Sequence, residues 1–365
     1  MLYLCSFNSF SHQDDKILLG VSNATSGPTA QLGSKLNLGA AKYFERLNGE
    51  GGIHGQLIEM VKTDDGYEPY LTKKNTDILL KNFEIFALFN YVGTPTSHAV
   101  FNKVKKENLL YFTPFTGAQF LRGDDAPSII NFRASYQDEV ERHVDFLVVQ
   151  KKIRQIGILV QADQFGSTVE QEYIRALAKH NIKPKIITRY RRNTADIQWA
   201  LTKLMRNGVE AVGVAGTYEP VAELISLAFQ KQFTPYFVSV SFVSSRDLFA
   251  AINSQIGDSS IDLLVTEVVP EPSNCQATLC QMFRKDFSDN KAIWHERVIF
   301  EGYVNAHLFS QLAKRCKPKA TKACVTEQIN KIKKKKSFLP DYPLLDEISG
   351  ERVFLNHYLP LNQPK

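Results

Sequence analysis

The sequence predicts an α/β protein made of two doubly wound parallel-sheet lobes. Short apolar strands alternate with amphipathic helices from residue 17 onward, and the same alternation starts again near Ala134. A chain of 365 residues is longer than one average hydrophobic core accommodates, so about two domains are expected. No linker rich in Gly or Ser separates the halves, which favours lobes joined by several strand crossings over two independent domains.

Each predicted element rests on its hydrophobic periodicity and on the turn residues that bound it. In the first half, the predicted strands are Ile17–Val21, Leu57–Val61, Ile85–Phe89 and Leu109–Phe112, and the predicted helices are Gly33–Asn48, Pro69–Lys81 and His98–Lys106. In the second half, the strands are Ile156–Val160, Lys185–Arg189, Ala211–Val214 and Tyr236–Val240, and the helices are Gln137–Val149, Thr168–His180, Asp196–Asn207 and one that ends at Gln230. The C-terminal part adds helices Leu279–Asp286, Arg297–Arg315 and Thr326–Lys335 and a last strand, Arg352–His357.

Two polar loops follow consecutive predicted strands and form the candidate binding site. Residues 93–97 (GTPTS) open into a helix, and residues 113–117 (TPFTG) leave the next strand at the same sheet edge. Backbone N–H groups at a helix start bind small anions, and ligands of open α/β sheets lie beyond the carboxyl ends of the strands. The alternative is that Thr and Pro act only as turn and capping residues. A second such loop on the neighbouring strand favours a pocket for a small polar molecule.

The sequence carries no recognisable catalytic or metal-binding pattern, so we expect neither an enzyme nor a cofactor. The glycine-rich residues 49–55 (GEGGIHG) follow a helix and precede a strand, which reverses the order of a dinucleotide-binding motif. There is no Walker A, HExxH or GxSxG pattern, and the eight histidines show no ligand spacing. His98 lies near the first loop, but without a visible nucleophile partner it is interpreted as a helix-surface residue.

Composition and charge are those of an ordinary globular protein. Hydrophobic residues make up 44% and charged residues 22%, and no apolar run approaches the ~20 residues of a membrane helix. The net charge of +6 is concentrated late, in the lysine-rich residues 331–336. These lysines have no interleaved aromatic residues, so they indicate a solvated helix end and no nucleic-acid interface.

The N-terminal residues 1–16 lack the basic region of an intact signal peptide, so we expect a disordered segment or the trimmed end of a signal or lipoprotein leader. Cys5 follows a short apolar stretch, as a lipid-attachment cysteine does, although the large Leu4 departs from that pattern. Lipidation of Cys5 is therefore an open alternative.

The other four cysteines form two local pairs, Cys275 with Cys280 and Cys316 with Cys324. Two such pairs favour two small-loop disulfides and an oxidising compartment over four reduced thiols. Zinc is disfavoured because neither pair has two-residue spacing and no histidine cluster accompanies them.

Taken in order, the motifs resemble the type I periplasmic substrate-binding proteins, in particular the Leu/Ile/Val-binding branch that serves ABC transporters. The resemblance covers almost the whole chain, from about residue 17 to residue 358. The matching stretches are Ser26–Gly33 (SGPTAQLG), Asn48–Gly55 (NGEGGIHG), Asp64–Asp65, Gly93–Ser97, Thr113–Pro114, Asp163–Gly166, Gly216–Pro220 and Glu301–Tyr303.

The resemblance implies two lobes that are hinged by three crossings and close on a ligand. The crossings are expected near Phe132–Ala134, Leu264–Val268 and Leu345–Ser349. Lobe 1 would then comprise residues 17–132 and 266–346, and lobe 2 residues 133–265 and 347–365.

The resemblance also implies ligand-binding positions on both lobes. Thr94 would bind a ligand carboxylate, Leu32 would line a side-chain pocket, and Phe165 and Tyr218 would close over the ligand. The full set of candidate ligand-binding residues is Leu32, Gly93, Thr94, Thr96, Thr113, Phe115, Thr116, Gly117, Phe165, Tyr218, Glu219 and Ser241.

Two positions depart from the amino-acid binders of this family. Gly117 stands where a Thr is common, and Ser241 stands where some members place a glutamate that holds the α-ammonium group. Glu219 is the candidate substitute for that glutamate, or it caps the helix that it begins. An amino acid is therefore the leading ligand class, with an amide or a carboxylate without an amine left open.

The expected function is that of a monomeric periplasmic or extracytoplasmic receptor. Its expected partners are a small solute and the membrane permease of an ABC transporter, with no nucleic acid. The alternatives are a ligand-sensing domain of a signalling receptor with the same fold, and an enzyme on an α/β scaffold. The lack of a nucleophile–base pair disfavours the enzyme.

Overall fold

Two parallel-dominated β-sheets form the framework of the protein in a computed structural model, which describes residues 16–122, 128–334 and 353–358. The strands of the first sheet are β1 (Lys16–Asn23), β2 (Leu57–Asp64), β3 (Ala87–Phe89), β4 (Tyr111–Phe112) and β5 (Ile129–Ile130). Those of the second sheet are β6 (Ile156–Gln161), β7 (Ile186–Tyr190), β8 (Ala211–Ala215), β9 (Tyr236–Ser239), β10 (Leu263–Glu267) and β11 (Phe354–His357).

Eleven helices alternate with these strands or follow them in the described part of the chain. They are α1 (Ala30–Gly49), α2 (Pro69–Asn82), α3 (Thr94–Lys106), α4 (Tyr136–Val144), α5 (Gln164–Ala178), α6 (Gln198–Arg206), α7 (Tyr218–Gln230), α8 (Ser245–Ile256), α9 (Thr278–Asp286), α10 (Arg297–Lys314) and α11 (Lys322–Lys334). A π-helical segment, Asp145–Gln150, continues α4. Among the helices that the structure describes, none combines the length and the apolar character that crossing a bilayer requires.

Five strands of each sheet follow the same topology. The first sheet has the strand order β2-β1-β3-β4-β5, and the second, read in the same direction, has the order β7-β6-β8-β9-β10 with β11 added at its edge. All pairs are parallel except β10 with β11. Strands β6, β8 and β10 are buried along their whole length, as expected when helices cover both faces of a parallel sheet. The predicted fold class of two doubly wound parallel sheets is confirmed.

The chain passes between the two sheets through short segments. Residues 131–135 lead from β5 to α4, and residues 268–277 lead from β10 to α9. Near the second predicted crossing, Leu264–Val268, the chain is first a strand of the second sheet and only then leaves it. The third predicted crossing, Leu345–Ser349, lies outside the described residues. The lobe boundaries that the resemblance implied therefore stay a prediction.

Helices α1 and α10 pack against each other at two glycines. A Cβ atom on Gly39 would lie 1.8 Å from the carbonyl oxygen of Ile299, and one on Gly302 would lie 2.0 Å from that of Leu36. The backbones of the two helices thus touch at distances that only glycine permits. Because α1 covers the first sheet, this contact fixes α10 to the same lobe, in one apolar core with Tyr43, Phe44 and Phe300.

Helix α3 begins earlier than the sequence indicated. It starts at Thr94, four residues before the predicted His98, so most of the polar GTPTS segment belongs to the first helical turn and not to a loop. Pro95 fits there because the first residues of a helix need no N–H partner inside the helix. Helix α8 was not predicted at all.

Both predicted disulfides are present. Cys275 is bonded to Cys280 and Cys316 to Cys324, with Cα–Cα distances of 5.8 and 5.9 Å. Cys5 lies outside the described residues. We expect unreduced, denatured protein to leave all four of these cysteines unmodified by an alkylating reagent, and mass spectrometry of the peptides measures this. Alkylation at any of the four would contradict the pairing.

Candidate functional site

The carboxyl ends of the two sheets face each other across a closed cleft. On the first lobe, Tyr67 follows β2 and Phe115 follows β4, and on the second lobe Phe165 lies in α5 and Phe242 follows β9. Phe242 contacts the other three, with ring-centroid distances of 5.9 Å to Tyr67, 5.8 Å to Phe115 and 4.7 Å to Phe165. All four side chains are at most 1% exposed. The middle of the candidate site is therefore an aromatic cluster that both lobes share.

Of the predicted ligand-binding residues, Leu32, Phe115 and Phe165 lie in the apolar core that contains this cluster. Tyr218 does not join it. Its ring packs instead against a separate apolar core that contains residues of the second sheet and of α6, α7 and α8, and its hydroxyl donates to Glu219 at 2.9 Å. Glu219 is exposed. The structure thus brings the lobe 1 residues and Phe165 together and leaves Tyr218 and Glu219 to one side.

The N-terminus of α3 points its first residues toward the cleft. Gly93, the residue before the helix, has φ +106°, a conformation that favours glycine. A Cβ atom there would lie 2.3 Å from Cε2 of Tyr67, so the tyrosine ring rests directly on this residue. The free N–H groups of the first helical turn and the positive end of the helix dipole favour a negatively charged group at this position.

Several of the predicted hydroxyl ligands already have partners within the protein. Thr96 donates to the carbonyl oxygens of Val92 and Gly93, and Thr113 donates to Oδ1 of Asn90 at 3.1 Å. The Thr96 hydroxyl therefore stabilises the backbone of its own loop, and the Thr113 hydroxyl joins the loop after β4 to the side chain of the residue that follows β3.

The hydroxyls of Thr94 and Thr116 are hydrogen-bonded to each other at 2.8 Å, and that of Thr116 lies 3.4 Å from the Tyr136 hydroxyl on the other lobe.

The structure gives a reason for glycine at position 117 that the sequence did not reveal. A Cβ atom at this position would lie 2.6 Å from the backbone nitrogen of Tyr136, which donates to the Gly117 carbonyl oxygen at 2.9 Å. The Thr that is common in amino-acid binders does not fit against this contact.

Arg133, in the first crossing segment, is the largest feature that the sequence reasoning missed. Its Nη1 donates to both carboxylate oxygens of Glu301 at 2.7 and 2.6 Å, and its Nη2 donates to Oγ of Ser241. The guanidinium carbon lies 3.9 Å from the centre of the Phe115 ring. The residue is only 2% exposed. The signal that could have revealed it is a single arginine that stands between two apolar residues, Phe132 and Ala134.

A second buried carboxylate lies on the other side of Ser241. Glu139 accepts the Ser241 backbone N–H at 2.7 Å and the Thr266 hydroxyl at 2.6 Å. Burial raises the pKa of both Glu139 and Glu301, and the guanidinium of Arg133 opposes that rise. Ser241, predicted as a ligand position, thus lies between one cation and one carboxylate and already accepts a hydrogen bond from the cation.

Ion pairs connect the lobes on two edges of the cleft. On one edge, Arg192 of lobe 2 donates to Glu68 at 3.0 Å and lies 3.2 Å from Asp163 of its own lobe.

On the other edge, Lys35 of α1 contacts Asp247 of α8 at 2.7 Å and Glu296 at 2.8 Å, and Arg246 contacts Glu296 at 2.8 Å. With the contacts of Arg192, these ion pairs join the two lobes on both edges of the cleft.

The described residues offer no metal site. Within residues 16–122, 128–334 and 353–358, no group of three or more His, Cys, Asp or Glu side chains is arranged to hold a metal ion.

A family model described as periplasmic binding protein matches residues 16–344 of the chain. The chain belongs to the periplasmic binding protein family. The match includes the first sheet, strands β6 to β10 of the second, the aromatic cluster between the sheets and the two crossing segments that the structure describes.

Individual relatives of this periplasmic binding protein agree with the resemblance seen in its sequence. It is 23% identical to a leucine-, isoleucine-, valine-, threonine- and alanine-binding protein of Pseudomonas aeruginosa, over 72% of this chain and 69% of the relative. It is 21% identical to the Leu/Ile/Val-binding protein of Escherichia coli K12, over 72% of this chain and 70% of the relative.

Among solved structures, the chain is similar to a possible leucine/isoleucine/valine-binding protein from Rhodopirellula baltica SH 1. The TM-score is 0.81 at 28% identity, over 89% of this chain and 88% of that one. The predicted membership of the type I, Leu/Ile/Val-binding branch is confirmed.

Proposed function

We propose that this protein is an extracytoplasmic solute-binding protein of an ABC transporter. It holds a small amino acid, or a related amide or carboxylate, between its two lobes and delivers it to a membrane permease. The observation that carries the proposal is the pair of opposed sheet edges, with the N-terminus of α3 at the centre of their contact. Relatives named for binding branched-chain amino acids support the ligand class.

The solute binds at one sheet edge and is enclosed by the other. Its carboxylate lies at the N-terminus of α3, and its apolar part contacts the rings of Phe115, Phe165 and Phe242. The ion pairs at both edges of the cleft form when the lobes close. The solute shifts the balance toward the closed form because it contacts both lobes only in that form. Binding and release leave the solute chemically unchanged. The protein acts outside the cytoplasm, which fits its two disulfides.

The test is a thermal-shift and calorimetric screen of the wild-type protein against leucine, isoleucine, valine, threonine and alanine. The screen also includes leucinamide and 4-methylpentanoate, which is leucine without its amino group. A solute present at 100 times its Kd stabilises the folded state by about 2.7 kcal/mol, which raises the melting temperature measurably. We expect at least one member to bind and to be recovered intact after incubation. Failure of every member to bind, or conversion of a bound member into a product, would contradict the proposal.

A further inference from the structure

We propose that Tyr67 is a solute-binding residue, whose hydroxyl donates a hydrogen bond to the carboxylate that lies at the N-terminus of α3. The inference deepens the proposed function and rests on it. Tyr67 does not belong to any motif that the sequence analysis assigned to the ligand, and it lies in the turn between β2 and α2.

The first observation is that the Tyr67 hydroxyl is buried without a partner. The side chain is 0% exposed, and its oxygen has no hydrogen bond to any residue that the structure describes. A buried hydroxyl without a partner costs free energy, so proteins nearly always supply one. Other buried tyrosines of this chain follow the rule: Tyr91 bonds to Thr76 at 2.9 Å, Tyr111 to Ser97 at 2.8 Å and Tyr173 to His143 at 2.7 Å.

The second observation is the place of this hydroxyl. The ring atom that faces Gly93 is Cε2, which is bonded to the hydroxyl-bearing carbon. The polar end of the ring therefore lies at the start of α3, a helix of thirteen residues whose first N–H groups and dipole favour an oxyanion. The ring edge next to this side-chain donor thus lies against the residue that directly precedes the backbone donors of the helix.

The third observation is that the backbone of Tyr67 is held in an unusual conformation. Its φ is +65°, which is rare for a bulky residue and costs free energy. The carboxylate of Asp65 accepts the Tyr67 backbone N–H at 3.0 Å. Such a conformation persists only where the surroundings enforce it, and here its result is to aim the ring into the cleft.

The fourth observation connects this donor to the closure of the lobes. Arg192, from the opposite lobe, donates to the Tyr67 carbonyl oxygen, and its guanidinium carbon lies 4.7 Å from the centre of the Tyr67 ring. The cation covers the ring only when the lobes are together. Burial, and then the nearby carboxylate of Asp163, raise the pKa of Tyr67, so the group stays protonated and acts as a donor.

The test is the Tyr67→Phe variant, measured by calorimetry with each member of the screen that binds the wild-type protein. We expect its affinity for a carboxylate-bearing solute to fall about ten- to hundredfold, because the lost hydrogen bond has a charged acceptor. Its melting temperature without solute should be equal to or above that of the wild type, because the deleted hydroxyl has no partner in the protein. If both leucine and 4-methylpentanoate bind, the loss should be the same for each, since they share the carboxylate.

The matched control is Tyr91→Phe, which removes a buried hydroxyl that does have a partner in the same lobe. This variant should lower the melting temperature and leave the affinity unchanged. Equal affinity of the wild type and Tyr67→Phe would overturn the inference while the proposed function stands. The inference would also be overturned if Tyr67→Phe lowered the melting temperature as much as Tyr91→Phe does. Such a fall would show that the Tyr67 hydroxyl has a partner within the protein. If no member of the screen binds the wild type, the proposed function fails and this inference fails with it.

Discussion

Replacing Glu301 with Gln is expected to lower the free energy of unfolding by about 3–5 kcal/mol. The substitution keeps the shape of the side chain but leaves the guanidinium of Arg133 buried without its counter-charge. Both partners are almost fully buried, at 2% and 4% exposure, so water cannot replace the lost carboxylate. Urea denaturation of the wild type and the variant measures the difference.

The control for this measurement is Glu327→Gln. Glu327 also pairs with a cation, Lys331 at 2.8 Å, but both side chains are about 60% exposed. Replacing it should leave the free energy of unfolding almost unchanged, because water screens an exposed pair.

A double variant, Arg133→Met with Glu301→Gln, removes both charges and should recover part of the stability that Glu301→Gln loses. If Glu301→Gln lowers the free energy of unfolding no more than Glu327→Gln does, the buried pair of Arg133 and Glu301 is not ionised in the folded protein.

Replacing Arg192 with Met is expected to weaken solute binding about tenfold, which corresponds to about 1.4 kcal/mol. Arg192 joins the lobes through Glu68 and through the carbonyl oxygen of Tyr67, and it contacts the ring of Tyr67. All of these contacts are lost when the cleft opens, so their removal shifts the balance toward the open form. Calorimetry measures the affinity, and small-angle X-ray scattering without solute should show a larger radius of gyration for the variant.

The matched control is Arg175→Met. Arg175 pairs with Glu172 at 2.8 Å within α5, and therefore within one lobe. Its replacement should leave both the affinity and the radius of gyration unchanged. If Arg192→Met behaves in the same way, the ion pairs at this edge do not stabilise the closed form.

The sequence predicted the alternation of strands and helices, both sheets and both disulfides, because these features depend on local periodicity and short spacing. It placed the start of α3 at His98 because Gly, Thr and Pro are typical of turns, whereas Pro is also favoured in the first turn of a helix. It could not show that the Thr96 hydroxyl bonds back to its own loop and the Thr113 hydroxyl to Asn90 of the neighbouring loop, since both bonds depend on three-dimensional geometry.

The residues that reasoning from the sequence missed at the site share one property: their partners are far away in the chain. Arg133 meets Glu301 and Ser241, and Tyr67 meets Phe242. A pattern of local spacing carries no information about such pairs. The family resemblance also omitted them. It drew attention to Gly117 and Ser241 only because these positions lack a common Thr and a glutamate. The structure shows instead what these two positions contact.

The glycine contact between α1 and α10 determines where the protein can bend. Since Gly39 and Gly302 allow the two helix backbones to touch, α10 moves with α1 as a single rigid body, and neither helix has room to flex against the other. Among the described residues, rotation of one lobe against the other would change backbone torsions in residues 131–135 and 268–277, the two segments that pass between the sheets. The first of these segments carries the buried charge of Arg133.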